Sequence, residues 1–142
     1  MYTLDASVVT RTIDPESPQH RTCQLLLERL DQRAIPVIVP RLLLTEIAGA
    51  VRRVLRDPIC ARLSADAWRS LPHVQIVTLD DALIDAAADL AADYALRGAD
   101  AVYVAVARQQ HCTLSSLDRE QRERANALIP VLTPDEALAA LG

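Results

Sequence analysis

The sequence predicts an α/β fold, a three-layer α/β/α sandwich around a five-stranded, mainly parallel sheet. Three observations carry this expectation. Short runs rich in Val, Ile and Leu recur without polar alternation, the pattern of strands covered on both faces. Longer stretches of helical periodicity separate them, so successive strands are joined by crossovers of the right-handed kind. The 142 residues are 51% hydrophobic and 24% charged, enough to bury the core of one ordinary domain. Only 3% are aromatic and there is no Phe, so aliphatic side chains must fill that core.

The first strand is Tyr2 to Leu4, cut off at once by Asp5. A helix is expected over 18–33, then a strand at Val37 to Val39 and helices over 41–56 and 59–70. Val74 to Thr78 reads as the third strand, followed by helices over 81–97 and 100–110. The second of these, "GADAVYVAVA", is apolar all round and should be central. Thr113 to Leu117 is the fourth strand, 119–127 a helix, and Ile129 to Leu132 the fifth strand. In "TPDEALAAL", Thr133 caps a last helix, Pro134 takes its first position and Glu136 completes a capping box. No repeat, low-complexity segment or linker divides the chain, which reads as a single domain over residues 1–142.

Composition excludes several chemistries. All 15 basic residues are arginine, so no P-loop, pyridoxal Schiff base or lysine nucleophile can be built. With Gly49, Gly98 and Gly142 as the only glycines, neither a dinucleotide fingerprint nor a nucleophile elbow can be written. Cys23, Cys60 and Cys112 are odd in number and far apart, which suits reduced thiols in a cytoplasmic protein. His20, His73 and His111 stand alone and suggest no metal site. No apolar stretch is long enough to span a membrane, and Asp5 stands where an export signal needs a basic start. A net charge of −4 argues against binding nucleic acid by bulk charge; a polyanion must be met by placed arginines or metal ions.

Most of the acidic residues are unremarkable: Asp85, Asp89 and Asp93 fall at spacing four on one solvated helical face. Four are different. Asp5 and Asp118 lie at the carboxyl ends of the first and fourth strands, the edge where open parallel sheets bind ligands. Glu46, among Leu42, Leu43, Gly49 and Ala50, emerges from a packed face, and Asp100 opens the central helix. Ionised carboxylates there cost several kcal/mol unless paired, hydrogen-bonded or bound to a cation. If the four converge, a divalent ion relieves their repulsion. An oxygen-only set favours Mg²⁺ or Mn²⁺ over zinc. Arginine partners are the alternative for each acid taken singly.

"LDAS", a glutamate in the second long helix, "GADAVYVAVA" and "LSSLD" in this order resemble the PIN-domain nucleases, and within them the VapC-type toxin ribonucleases of bacterial toxin–antitoxin pairs. The resemblance spans essentially the whole chain. It implies that Asp5, Glu46, Asp100 and Asp118 form the family's acidic quartet, with Asp5, Asp100 and Asp118 as metal ligands. It assigns supporting hydroxyls to Ser7 and to Ser116, the latter where the family usually has threonine. Glu120 stands near the family's occasional fifth acid. The implied activity is Mg²⁺- or Mn²⁺-assisted hydrolysis of RNA phosphodiesters, leaving a 5′-phosphate and a 3′-hydroxyl. The implied partners are an antitoxin and a second copy of the chain. Arg11, Arg52 and Arg119 are candidates for the RNA backbone, and Leu26, Leu30, Leu43 and Ile47 for an antitoxin groove, unless they are core. Competing readings are a non-catalytic PIN-like module, a PIN nuclease without an antitoxin, and a haloacid-dehalogenase-type phosphatase. The last is disfavoured because position 7 is serine and lysine is absent.

Overall fold

A computed structural model describes residues 1–142. Its elements run β1 (Tyr2–Leu4), α1 (Ala6–Arg11), α2 (His20–Gln32), β2 (Val37–Pro40), α3 (Leu42–Leu55), α4 (Pro58–Arg69) and β3 (Val74–Val77). They continue through α5 (Asp81–Tyr94), α6 (Gly98–Gln109), β4 (Thr113–Ser115), α7 (Arg119–Ala125), β5 (Val131–Leu132) and α8 (Pro134–Leu141). The five strands form one sheet in the order β3-β2-β1-β4-β5, and every pairing is parallel. The α/β sandwich expected from the sequence is what the chain adopts, with the sheet wholly rather than mainly parallel.

Strand composition matches position. β1 and β2, inside the sheet, are buried throughout, whereas β3 and β5 at its edges are half-exposed. The apolar α6 is the central helix: every residue from Ala101 to Ala107 is buried in the main core cluster. Asp85, Asp89 and Asp93 face solvent, as their spacing requires.

One helix was not anticipated. α1 contains Val8, Val9 and Thr10, whose branched side chains argue against helix. Asp5 caps it, and burial of Val8 and Val9 outweighs the propensity. α5 ends at Tyr94, short of the expected boundary, because Ala95 turns into the left-handed region at φ 54°. The resulting short loop brings Gly98 and Arg97 to the start of α6.

Proceeding from β1, the chain places β2 and β3 on one side and β4 and β5 on the other. The order therefore reverses between β1 and β4, and a crevice opens beyond their carboxyl ends. Leu4 pairs with Ser115 there, and the Asp5 amide continues the ladder onto the Ser115 carbonyl at 3.0 Å.

Candidate active site

Each acid of the quartet has a local reason to be where it is. Asp5 is the N-cap of α1 and accepts from the Ser7 amide at 2.8 Å. Asp118 is the N-cap of α7 and accepts from the Gln121 amide at 2.9 Å. Asp100 lies in the first turn of α6. Three carboxylates thus sit at helix N-termini, whose unpaired amides and dipoles favour negative charge. Glu46 comes from the interior of α3 and accepts a hydrogen bond from the Tyr103 hydroxyl of α6.

These helices start or pass at the β1/β4 crevice, where Asp5, Asp100 and Asp118 share one hydrogen-bond network and Glu46 lies within reach of the charges of Asp5 and Asp100. Gln121, fully buried, donates its amide to Asp5 Oδ1 at 3.2 Å and to the Asp100 carbonyl at 3.3 Å. Its own Oε1 has no partner. The Ser7 hydroxyl accepts from the Leu117 amide at 3.0 Å, tying α1 to the segment after β4. The Ser116 hydroxyl accepts from the Asp118 amide, also at 3.0 Å. Arg97 donates from Nε to Asp100 Oδ2 at 3.0 Å and from Nη2 to Asp118 Oδ2. Ser7 and Ser116 therefore hold the loops that carry the acids.

Electrostatics agrees with this convergence. Burial pushes the Glu46 carboxyl above the usual glutamate range; the Tyr103 hydrogen bond opposes the rise, and the charges of Asp5 and Asp100 add to it. Burial likewise raises Asp100, against the pull of Arg97 and with the repulsion of Asp5 and Asp118. Asp118 is held low, chiefly by the Gln121 amide and further by Arg97.

Asp5, Asp100 and Asp118, expected as metal ligands, are not drawn into one tight cluster in this arrangement. No three Asp, Glu, His or Cys side chains stand close enough to share one ion. Both oxygens of Asp5 and both of Asp118 accept from protein donors, leaving Asp100 Oδ1 and Glu46 Oε1 without one. The donor chemistry nevertheless fits a hard divalent cation: the four carboxylates supply only oxygen ligands, and burial and mutual repulsion raise two of them.

Three residues of this network escaped the sequence reading. Arg97 had a usable signal, its helical spacing of three before Asp100. Tyr103 offered a hydroxyl inside an otherwise apolar helix. Gln121 gave none, since a polar residue in a first turn is ordinarily solvated. Among the candidate RNA-binding arginines, Arg11 lines a groove of about 440 Å³ with Ser7, Thr10, Asp14, Ser17 and Arg53, two residues along the chain from Asp5 at Ser7. Arg52 is exposed on α3. Arg119 is committed to Glu123 on its own helix at 2.7 Å, and Glu120 pairs with Arg124 rather than joining the quartet. Leu26, Leu30, Leu43 and Ile47 are buried core; of the four, only Leu30 reaches a surface pocket, which it lines with Leu27, Trp68 and Leu71.

Residues 2–127 match the PIN domain family. Among solved structures, the chain is similar to the Mycobacterium tuberculosis toxin VapC20, with a TM-score of 0.72 and 18% identity over 87% of this chain and 94% of that one. It is similar to FitAcB from Neisseria gonorrhoeae, with a TM-score of 0.69 and 19% identity over 94% of this chain and 98% of that one. It is also similar to VapBC2 from Rickettsia felis, with a TM-score of 0.69 and 14% identity over 93% of this chain and 97% of that one. No curated protein matches. At these identities the structural likenesses establish the fold, while the match along the sequence establishes more: this chain belongs to the PIN domain family.

Proposed function

We propose that the chain is a Mg²⁺- or Mn²⁺-dependent endoribonuclease and the toxin of a toxin–antitoxin pair. One observation carries the reading: Asp5, Glu46, Asp100 and Asp118, far apart in sequence, belong to one interacting cluster at the carboxyl edge of β1 and β4. Membership of the PIN domain family supports nuclease chemistry. VapC20 is described as a toxin cleaving the sarcin–ricin loop, and another structural neighbour is a toxin–antitoxin complex from Klebsiella pneumoniae.

When bound, a divalent ion would acidify water and neutralise charge on the reacting phosphate. Asp5, Asp100 and Asp118 would supply its oxygen ligands by turning from their protein donors toward it. Glu46, whose raised carboxyl takes up a proton more readily than an ordinary glutamate, is placed to hold the proton released by the attacking water. Tyr103 fixes the orientation of that carboxyl, and Gln121 that of Asp5. Ser7 and Ser116 keep Asp5 and Asp118 on facing loops. Arg11 and Arg53 border the groove beside the site and suit bidentate contacts to the RNA backbone.

Val54, Leu55, Ile59 and Leu63 are exposed on the packed pair α3 and α4, an apolar surface suited to an antitoxin or a second copy of the chain. The three free thiols accord with a reducing, cytoplasmic setting, and no helix is long and apolar enough to cross a membrane.

The test is cleavage of single-stranded RNA by purified protein in EDTA, Mg²⁺ and Mn²⁺. Activity is expected with either ion, none in EDTA, and a loss of at least roughly a hundredfold in Asp5→Asn and Asp100→Asn, the scale of losing a few kcal/mol of charge stabilisation by the ion. Wild-type rates in either variant would discard the assignment. The second reading is a non-catalytic PIN-like module. It is favoured by the clasp of Arg97 on Asp100 and Asp118, and would leave RNA intact with every ion.

A further inference from the structure

Arg97 is the one cation that touches the quartet. Its guanidinium reaches Asp100 from its own helix and Asp118 across the crevice, joining the start of α6 to the cap of α7. On each acid it takes Oδ2, and the Gln121 amide already takes the other oxygen of Asp118. An ion drawing on Asp118 must therefore compete with the guanidinium for the same carboxylate. The competition is winnable. The Arg97 side chain is 62% exposed, so its charge returns to water at little desolvation cost, and exposed ion pairs are individually modest.

We propose that Arg97 is the built-in counter-cation of this site, displaced by the divalent ion and thereby setting the ion concentration at which Asp100 and Asp118 become available. The inference rests on the metal-dependent reading above and extends it to the metal-free state. In that state the guanidinium offsets part of the carboxylate repulsion and holds the two loops in register. Arg97 acts here as a positioning residue, through the carboxylates, and makes no claim on substrate.

The experiment is titration of Mn²⁺ into the full chain without RNA, by calorimetry and by electron paramagnetic resonance of the free ion. Wild type is compared with Arg97→Gln and Arg97→Lys, and folding is checked by thermal melts in EDTA. Arg97→Gln should bind Mn²⁺ roughly tenfold tighter, within the range that two exposed ion pairs supply. Arg97→Lys keeps the charge but loses the planar fork that spans two carboxylates, and should also bind more tightly than wild type. Both variants should melt at a lower temperature than wild type in EDTA, with the gap narrowing as Mn²⁺ is added. Unchanged or weaker affinity in Arg97→Gln overturns the proposal. So does tighter binding in Arg97→Lys than in Arg97→Gln, because the variant that keeps the charge must compete more strongly with the ion. A wild type and both variants that bind no ion at all would overturn the metal-dependent function itself, a result separate from the other two.

Discussion

Glu46 shows how much of this site is decided at the scale of one side chain. It sits half-buried on α3 with a buried tyrosine hydroxyl on one oxygen and two aspartates close enough to repel its charge. Because its carboxyl is raised when folded, the folded chain keeps that proton at pH values where the unfolded chain has lost it. The sign follows. Stability from this group is greatest below the ordinary glutamate range and is lost as pH rises through the raised folded value. Glu46→Gln removes the titration, so the variant should gain in melting temperature over wild type as pH rises toward neutrality in EDTA. Thermal melts at a series of pH values check this, and a difference independent of pH would contradict it. Asp118 runs the other way: held low by the Gln121 amide, it contributes stability above the ordinary aspartate range that is lost as acid protonates it.

At the scale of elements, the site is a meeting of helix starts. α1, α6 and α7 each bring an acid in the cap or first turn, so the local rule that places a carboxylate at a helix N-terminus is also what delivers it to the crevice. What ties these elements to one another is a small number of side-chain bonds, and Ser7 to the Leu117 amide is the link between α1 and the β4–α7 segment. Ser7→Ala leaves that part-buried amide without its acceptor. It should cost about 1–3 kcal/mol in chemical denaturation, the usual penalty for orphaning such a group. It should also lower RNA cleavage with less effect on RNA binding, because the loop that carries Asp118 loses its anchor. Full stability would show that water replaces the hydroxyl without cost.

At the scale of the whole molecule, charge and apolar surface are segregated. The acidic crevice lies at the carboxyl edge of the sheet, whereas Leu55, Ile59 and Leu63 put an uncovered aliphatic surface on α3 and α4. None of these side chains belongs to the carboxylate network, so assembly and chemistry can be separated by mutation. The double substitution Ile59→Asp and Leu63→Asp should shift the chain toward monomer in light scattering, or weaken capture of its antitoxin. RNA cleavage per folded chain should stay within about twofold of wild type, since surface changes away from packed features move stability little. A wild type already monomeric, with antitoxin capture unaffected by the substitutions, would remove this surface from any assembly.

Pattern along the chain was enough to read the architecture, because a parallel sheet covered on both faces needs continuous apolar strands and an all-apolar helix can only be central. It was also enough to single out Asp5, Glu46, Asp100 and Asp118, since a carboxylate at a strand end or in an apolar helix departs from its surroundings and departures are visible locally. The α1 helix was hidden, because its β-branched residues are helical only through burial of Val8 and Val9. Tyr103 and Gln121 were hidden because their identities are ordinary and only packing brings them onto the acids, while Arg97 was legible beside Asp100 by spacing but not in its reach to Asp118. The sequence by itself determined which residues carry negative charge toward the crevice. Beyond the local cap and turn partners, tertiary structure alone decided what meets that charge, because hydrogen-bond partners distant along the chain are selected by the packing of helices on the sheet.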